Sequence, residues 1–186
     1  MFKIVVLISG NGSNLEALIN ACKNKIINGS IDLVISNNPS AYGIERAKNH
    51  SIDFKIVDNK RFKTREDFDK ALVEKLKDSN PDLIVLAGFM RILSSVMTKT
   101  FKNKIINIHP SLLPKYPGLD THNMVIKNGD LKHGVTIHYV NEVLDGGEII
   151  AQGEMPVNAN ETYEEIKTRI HSCLLYTSPS PRDCLL

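Results

Sequence analysis

Short aliphatic runs alternate along the first half of the chain with stretches whose apolar residues recur every three or four positions. The runs predict β-strands at residues 4–8, 33–36, 54–57, 83–87 and 105–108. The stretches between them predict α-helices at residues 15–24, 42–50, 65–78 and 94–101. Near-continuous apolar strands that alternate with amphipathic helices are typical of a parallel sheet covered on both faces.

The second half of the chain has a different pattern. Residues 135–140 alternate between apolar and polar, and residues 147–157 could pair with them across an Asp-Gly-Gly turn. Residues 161–171 resemble a helix, with Ile166 and Ile170 four positions apart. We therefore predict an α/β fold: a Rossmann-like, mostly parallel sheet flanked by helices, with a mixed or antiparallel carboxyl-terminal part.

This fold is expected to occupy a single domain, residues 1–172. From Cys173 onward the helical pattern stops and Ser-Pro repeats follow, which are typical of disordered sequence. The segment also resembles translated read-through of a sequencing adapter. We expect residues 173–186 to be a non-native or disordered tail, and the native chain to be truncated near Ser172.

Composition narrows the choice of partners. Hydrophobic residues make up 42% of the 186 residues and charged residues 24%, as in ordinary soluble domains. The net charge of +2 gives no general attraction to nucleic acid or anionic lipid, and the longest apolar run is too short to cross a bilayer. The three cysteines have no metal-ligand spacing and form no even disulfide set. We expect a cytoplasmic protein with no nucleic-acid partner, no membrane partner and no metal.

The segment SGNGSN at residues 9–14 follows the first predicted strand and opens the first predicted helix. This turn is a favoured ligand position in open α/β sheets, because helix N–H groups and glycines let an anion approach the backbone. The spacing matches neither a complete dinucleotide fingerprint nor a Walker loop. It favours one phosphate monoester, to which Ser13 and Asn14 could add side-chain donors. The alternative is a tight turn with a simple helix cap.

Asn107 and His109 lie two positions apart at the end of the last aliphatic run. Side chains two apart in a strand point the same way, so an amide donor and an imidazole that titrates near physiological pH would project together. Their position at a strand end favours catalysis over a structural histidine. His138, inside an alternating strand, is predicted to be structural. The sequence shows no recognisable partner for three further histidines, His122, His133 and His171.

Two further segments are ambiguous from pattern alone. Asp145 lies in an Asp-Gly sequence, a common hairpin turn, so a turn residue is favoured. Its carboxylate would orient His109 only if the hairpin folded back over the ring, which sequence spacing does not establish. Residues 89–93 could line an apolar slot after the fourth strand, although such a run more often belongs to a core.

Taken together, these blocks resemble the folate-dependent glycinamide ribonucleotide formyltransferases. The resemblance covers roughly residues 3–172 and rests on residues 8–15, 86–93, 107–118 and 144–147, with a further match at His133-Gly134. It implies a formyltransferase fold. It also implies transfer of the formyl group of 10-formyltetrahydrofolate to the amine of glycinamide ribonucleotide in purine synthesis, without a metal, by a monomer or homodimer.

The resemblance implies roles for individual residues as well. The phosphate of glycinamide ribonucleotide would be bound by Gly12, Ser13 and Asn14. The catalytic residues would be Asn107, His109 and Asp145, which gives Asp145 a function that its turn sequence alone does not. The folate would be contacted by Arg65, Met90, Arg91, Ile92, Leu93, Asn107, Asn141, Glu142, Val143, Leu144 and Asp145.

Other uses of formyltetrahydrofolate remain as alternatives. A methionyl-tRNA formyltransferase shares the Asn-x-His and Ser-Leu-Leu-Pro pattern but requires a tRNA-binding domain and a basic surface. A formyltetrahydrofolate deformylase uses water as the acceptor and normally carries an amino-terminal regulatory domain. From a different class, the chain could be an inactive fragment that binds phosphate or folate without turnover. The SGNGSN loop suits a small ribonucleotide and favours the first interpretation.

Overall fold

The aliphatic runs of the first half form parallel strands, as the sequence predicts. The computed structural model describes residues 1–176, with the side chains of residues 1–170, and it divides into two compact units after residue 106. In the first unit the strands follow the order β3-β2-β1-β4, and each neighbouring pair is parallel. The strands are β1 (Phe2–Ile8), β2 (Gly29–Ser36), β3 (Phe54–Ile56) and β4 (Leu83–Leu86).

The helices between these strands begin and end within two residues of their predicted limits. They are α1 (Ser13–Lys23), α2 (Gly43–Asn49), α3 (Arg65–Ser79) and α4 (Ser95–Thr100). Thr64 explains why α3 begins where it does, because its hydroxyl oxygen accepts a hydrogen bond from the backbone N–H of Asp67 at 3.1 Å. A short 3-10 helix at Asn59–Arg61 was not predicted.

The apolar face of α3 contributes to the buried core of the first unit. Phe68, Leu72 and Leu76 recur every four residues and are all buried, as the helical period requires. The ring of Phe68 stacks on that of Phe89, with centroids 6.4 Å apart. The residues just after β4 are therefore held against α3 by aromatic packing.

The second unit carries the antiparallel part of the fold. Its strands β6 (Lys132–Tyr139) and β7 (Ile149–Pro156) pair antiparallel, with Val135 opposite Gly153. Strand β5 (Ile105–His109) carries the chain from the first unit into the second. Helix α6 (Tyr163–Tyr176) packs Ile166 and Ile170 onto these strands. The predicted α/β class, with its parallel part and its antiparallel carboxyl-terminal part, is confirmed.

Two parts of the second unit differ from expectation or go beyond it. Helix α5 (Thr121–Asn128) was not predicted, because it buries only Thr121 and Val125 and leaves Met124 and Ile126 partly exposed. A single narrow buried edge produces no clear helical period. Helix α6 also continues beyond residue 171. The tail predicted for residues 173–186 lies outside the described residues from 177 onward, and the single-domain limit at residue 172 stays a prediction.

Within residues 1–176, none of the helices has the length and apolar character that a membrane span requires.

Candidate active site

Asn107, His109 and Asp145 come together in the second unit. Asn107 and His109 are the third and fifth residues of β5, and Asp145 lies in the connection between β6 and β7. One carboxylate oxygen of Asp145, Oδ2, is 3.4 Å from Nδ1 of His109. The other, Oδ1, accepts a hydrogen bond from Nδ2 of Asn107 at 3.1 Å. The Asp145 carboxylate therefore contacts both of the polar side chains that the strand spacing predicts to project together.

The local backbone explains why Asp145 reaches this position. It adopts a left-handed conformation with φ of 49°, which aspartate tolerates better than most residues. Two residues later the chain passes so close to β6 that a Cβ on Gly147 would lie 1.7 Å from the carbonyl oxygen of Tyr139. The side-chain amide of Asn141 also braces the loop by donating to the carbonyl of Gly146 at 3.1 Å. The turn sequence is thus required to aim the carboxylate.

The charge of Asp145 is stabilised despite its burial. Burial alone would raise the pKa of Asp145, but the neighbouring His138, the hydrogen bond from the backbone N–H of Gly118 and nearby His109 hold that pKa below its ordinary value. The Gly118 N–H donates to Oδ2 at 2.8 Å. At neutral pH the group is a carboxylate and accepts hydrogen bonds only.

His109 has an acceptor on each side of its buried ring. Its Nε2 lies 2.9 Å from the carbonyl oxygen of Tyr116, and its Nδ1 faces the Asp145 carboxylate. Carbonyl and carboxylate oxygens do not donate, so both contacts are satisfied together only when each ring nitrogen carries a proton. The two acceptors therefore fix the orientation of the His109 ring, with Nδ1 turned toward the carboxylate.

His138 belongs to the same cluster, which the sequence did not indicate. Its Nε2 lies 3.6 Å from Oδ1 of Asp145 and 3.3 Å from Nδ2 of Asn107, and its Nδ1 lies 2.8 Å from the carbonyl of Tyr139. The ring is 2% exposed. The alternation along β6 predicts an exposed polar face that includes His138, but the strand is buried on both faces from His133 to His138. The pattern also carries no information about which residues lie opposite. We predicted only a structural role for His138, and that prediction did not include its contacts with the candidate catalytic residues.

His122 and His133 form a pair, so the expectation that they have no pairing is wrong. Nδ1 of His122 lies 2.9 Å from Nε2 of His133. One nitrogen must donate and the other accept, so the contact requires at least one neutral ring. Burial and the neighbouring His122 lower the pKa of His133 to about 4. The two residues are eleven positions apart on different elements, α5 and β6, and no sequence period connects them.

This pair predicts that the protein loses stability in mild acid. In the unfolded chain His133 becomes protonated as the pH falls below 6.5. In the folded chain it stays neutral until the pH falls to about 4. The free energy of unfolding should therefore decrease across that window, by roughly 3 kcal/mol for this group. Urea unfolding of the wild type and of His133→Gln at pH 7, 5.5 and 4 measures it. The variant should show the flatter profile, and parallel profiles would exclude His133 as the source.

The predicted phosphate loop lies in the first unit, at the start of α1. Gly12 is the residue before the helix and adopts a left-handed conformation, with φ of 75°. Its α-carbon approaches α2 so closely that a Cβ on Gly12 would lie 2.6 Å from Cα of Gly43. The first N–H groups of a helix have no partner within the helix and favour an anion. The backbone at Gly12 and Ser13 therefore forms a tight turn into α1, and phosphate binding there stays a prediction.

Arg46 supports this loop from α2. Its guanidinium donates to the backbone carbonyl of Asn11 at 3.0 Å and to the Asn11 side chain at 3.1 Å. It also pairs with Glu16, whose second oxygen lies 2.7 Å from His50. The hydrogen bond from His50, together with Arg46, holds the pKa of Glu16 below its ordinary value. The negative charge of Glu16 near the helix start is therefore balanced by its neighbours.

The predicted folate-contacting residues fall in both units. In the first, Arg65 opens α3 and residues 90–93 follow β4. Met90 is 62% and Ile92 48% exposed, whereas Leu93 is buried. Arg91 is exposed as well.

In the second unit, the candidates Asn141, Glu142, Val143, Leu144 and Asp145 form the turn that carries the carboxylate. Val143 and Leu144 are exposed apolar side chains, 65% and 48% respectively. Exposed apolar residues beside a buried polar cluster are typical of a ligand site. None of these contacts is tested by the structure, and the assignments stay predictions.

No set of three or more His, Cys, Asp or Glu side chains within the described part of the chain is arranged to hold a metal ion.

The fold and the polar cluster define an α/β protein with a candidate acid–base centre at the end of a strand. The family model described as formyl transferase matches residues 2–174, and the chain belongs to this family. The chain is 46% identical to the phosphoribosylglycinamide formyltransferase of Escherichia coli strain K12, over 91% of this chain and 80% of that protein.

Further relatives agree with this family. A trifunctional purine biosynthetic protein adenosine-3 from Drosophila melanogaster is 40% identical over 95% of this chain, which matches 13% of that protein. The crystal structure of glycinamide ribonucleotide transformylase 1 from Symbiobacterium toebii superposes with a TM-score of 0.92. It is 40% identical, and the match covers 95% of this chain and 83% of that one.

Proposed function

We propose that this chain transfers the formyl group of 10-formyltetrahydrofolate to the amine of glycinamide ribonucleotide, giving formylglycinamide ribonucleotide and tetrahydrofolate. Membership of the formyl transferase family and similarity to the E. coli enzyme support this reaction. The observation that carries the proposal is the placement of the Asp145 carboxylate between Asn107 and His109. An amide donor, an imidazole and a carboxylate are the groups that an acyl-type transfer requires.

The reaction begins with attack of the neutral amine on the formyl carbon attached to N10 of the folate. The carbonyl oxygen gains negative charge as the tetrahedral intermediate forms. One N–H of Asn107 stays on Asp145, and the other turns from His138 to donate to that oxygen. His109 stabilises the charge or supplies a proton. Collapse breaks the bond between the carbon and N10. N10 takes up the proton that the attacking amine loses. The products are therefore the formylated amide and tetrahydrofolate.

Asp145 supports both steps without touching the reacting carbon. Its carboxylate faces Nδ1 of His109 and orients the ring. In the structure Nε2 of His109 faces the Tyr116 carbonyl. In the proposed reaction the developing oxyanion replaces that carbonyl as the acceptor, and Asp145 helps relay the proton from the amine to N10. The chemistry uses no covalent enzyme intermediate and no metal.

We assign the substrate contacts on the same basis. Gly12, Ser13 and Asn14 would hold the ribonucleotide phosphate at the start of α1, where the helix dipole favours an anion. The folate would contact Arg65, residues 90–93, Asn107 and the turn at residues 141–145. We propose a cytoplasmic enzyme of purine synthesis, monomeric or homodimeric, whose partners are these two small molecules and which has no nucleic-acid or membrane partner.

Parallel assays with three acceptors test the proposal. The purified chain is supplied with 10-formyltetrahydrofolate and either glycinamide ribonucleotide, water alone or a formyl-acceptor tRNA, and tetrahydrofolate release is followed. We expect release that depends on the ribonucleotide. Equal release in water alone would indicate a deformylase, and release only with tRNA would indicate the tRNA enzyme. Ligand binding without release under any condition would identify a binding fragment.

A further inference from the structure

Ser9, the residue directly after β1, uses every one of its polar groups in hydrogen bonds. Its backbone N–H donates to the carbonyl of Gly88 at 3.2 Å, and its carbonyl accepts from the side chain of Asn38 at 3.2 Å. Its hydroxyl donates to Oδ1 of Asn37 at 2.5 Å and accepts from the backbone N–H of Met90 at 2.7 Å. A single serine therefore connects residues that follow β1, β2 and β4.

The hydroxyl is held in one orientation by the buried amide of Asn37 and the half-buried amide of Asn59. Asn37 is 5% exposed, and its Nδ2 donates to Oδ1 of Asn59 at 3.0 Å. Because Nδ2 of Asn37 is used as a donor, its Oδ1 is the acceptor that faces Ser9. The serine proton must then point at Asn37, which leaves a lone pair directed at the N–H of Met90. The order of donors along the chain is thus fixed from Met90 through Ser9 to Asn59.

The hydrogen bond from the Met90 N–H to the Ser9 hydroxyl joins two segments that we assign to substrate binding. Ser9 precedes the phosphate-binding residue Gly12 by three positions, and Met90 opens the folate-contacting segment 90–93. The far end of that segment is also tied, because the backbone N–H of Ser94 donates to the buried carboxylate of Asp69 at 2.5 Å. The segment between these two hydrogen bonds carries the exposed side chains of Met90 and Ile92.

We propose that Ser9 is a positioning residue that fixes the folate-contacting segment 90–93 relative to the phosphate loop. The inference rests on the proposed function and extends it to a residue that the family resemblance did not assign. Ser9 does not need to touch either substrate. It acts by holding the N–H of Met90, so that the backbone and apolar side chains of the segment meet the folate in one conformation. Preorganisation of this kind raises affinity by removing the cost of ordering the segment on binding.

The sheet itself does not depend on this hydroxyl. The pairing of β1 with β4 is complete from Ile4 to Leu7, and the backbone bond between Ser9 and Gly88 continues it without a side chain. Met90 lies beyond that point and is 62% exposed. Loss of the hydroxyl should therefore release an exposed segment while the buried core keeps its packing.

Ser9→Ala tests this role through a split between KM and kcat. We expect KM for 10-formyltetrahydrofolate to rise about tenfold, the effect of losing roughly one hydrogen bond from the binding geometry. KM for glycinamide ribonucleotide and kcat should change less than about threefold. Ser9→Thr keeps a hydroxyl at this position and should restore the KM. Ser30→Ala is the matched control, because Ser30 lies at the start of β2 and its hydroxyl bonds only to Asp32 among the contacts described for it.

Hydrogen exchange at the Met90 amide provides a readout that needs no turnover. Ser9→Ala should accelerate exchange at that amide by about tenfold or more, with no comparable change in the amides of β1 and β4. Unchanged exchange, or an unchanged folate KM in an active enzyme, would overturn the inference. So would a uniform loss of kcat and both KM values together with a lowered Tm, since that indicates a purely structural serine. A wild-type chain without formyl transfer overturns the proposed function instead, and the exchange experiment still decides whether Ser9 holds Met90.

Discussion

Asp145→Asn is expected to lower kcat by about 10²–10⁴-fold while leaving the fold intact. Asparagine has nearly the same shape but a single acceptor oxygen, so it can accept from Asn107 or from the N–H of Gly118 but not from both. It carries no charge, so His109 loses the carboxylate that faces Nδ1 and orients the ring. Steady-state kinetics with both substrates, alongside circular dichroism, measure the effect.

Asp78→Asn is a suitable control for this substitution. Asp78 lies near the end of α3 and makes a 3.6 Å ion pair with Lys55 at the surface, which contributes little to stability. Its kcat should match that of the wild type. Near-normal turnover by a folded Asp145→Asn variant would contradict the role given to the carboxylate, whatever the control shows.

Gly12→Ala is expected to lower kcat/KM for glycinamide ribonucleotide by about 10²-fold. The substitution places a Cβ 2.6 Å from Cα of Gly43, which is backbone and cannot turn aside. It also forces a side chain into a left-handed conformation that costs roughly 1–2 kcal/mol. The start of α1 must shift, and a displacement of about 1 Å at a positioned group can cost that much activity. Kinetics at varied ribonucleotide concentration, with saturating folate, measure the change.

The neighbouring Gly10 provides the comparison within the same loop. A Cβ on Gly10 would meet no heavy atom within 4 Å. Gly10→Ala should therefore change kcat/KM by less than about threefold. Similar losses in both variants would show that the loop is sensitive to any added methyl group, and would remove the specific argument about Gly12.

The elements of the first half could be predicted because their burial leaves a regular trace in the sequence. Strands buried on both faces are almost continuously apolar, and α3 repeats its buried residues every four positions. Helix α5 leaves no such trace, because only Thr121 and Val125 are buried. The limits of prediction here follow from how much surface each element buries.

The candidate site was predictable only where its residues share an element. Asn107 and His109 lie on one strand, so their common direction follows from the two-residue period of β-structure. Asp145 reaches His109 through a left-handed residue and a close approach of Gly147 to β6, and neither is encoded in spacing. His138 and the His122–His133 pair likewise depend on which elements become neighbours. Family resemblance supplied the role of Asp145, which pattern alone had given to a turn.

The most direct test is a double-mutant cycle on Asp145 and His109. If the carboxylate acts through the imidazole, the two residues form one functional unit, and removal of either should remove most of what the pair contributes. The kcat of the double variant Asp145→Asn/His109→Ala should then lie close to that of the weaker single variant. A double variant whose loss equals the product of the two single losses would show that the residues act independently, and would contradict the arrangement proposed for this centre.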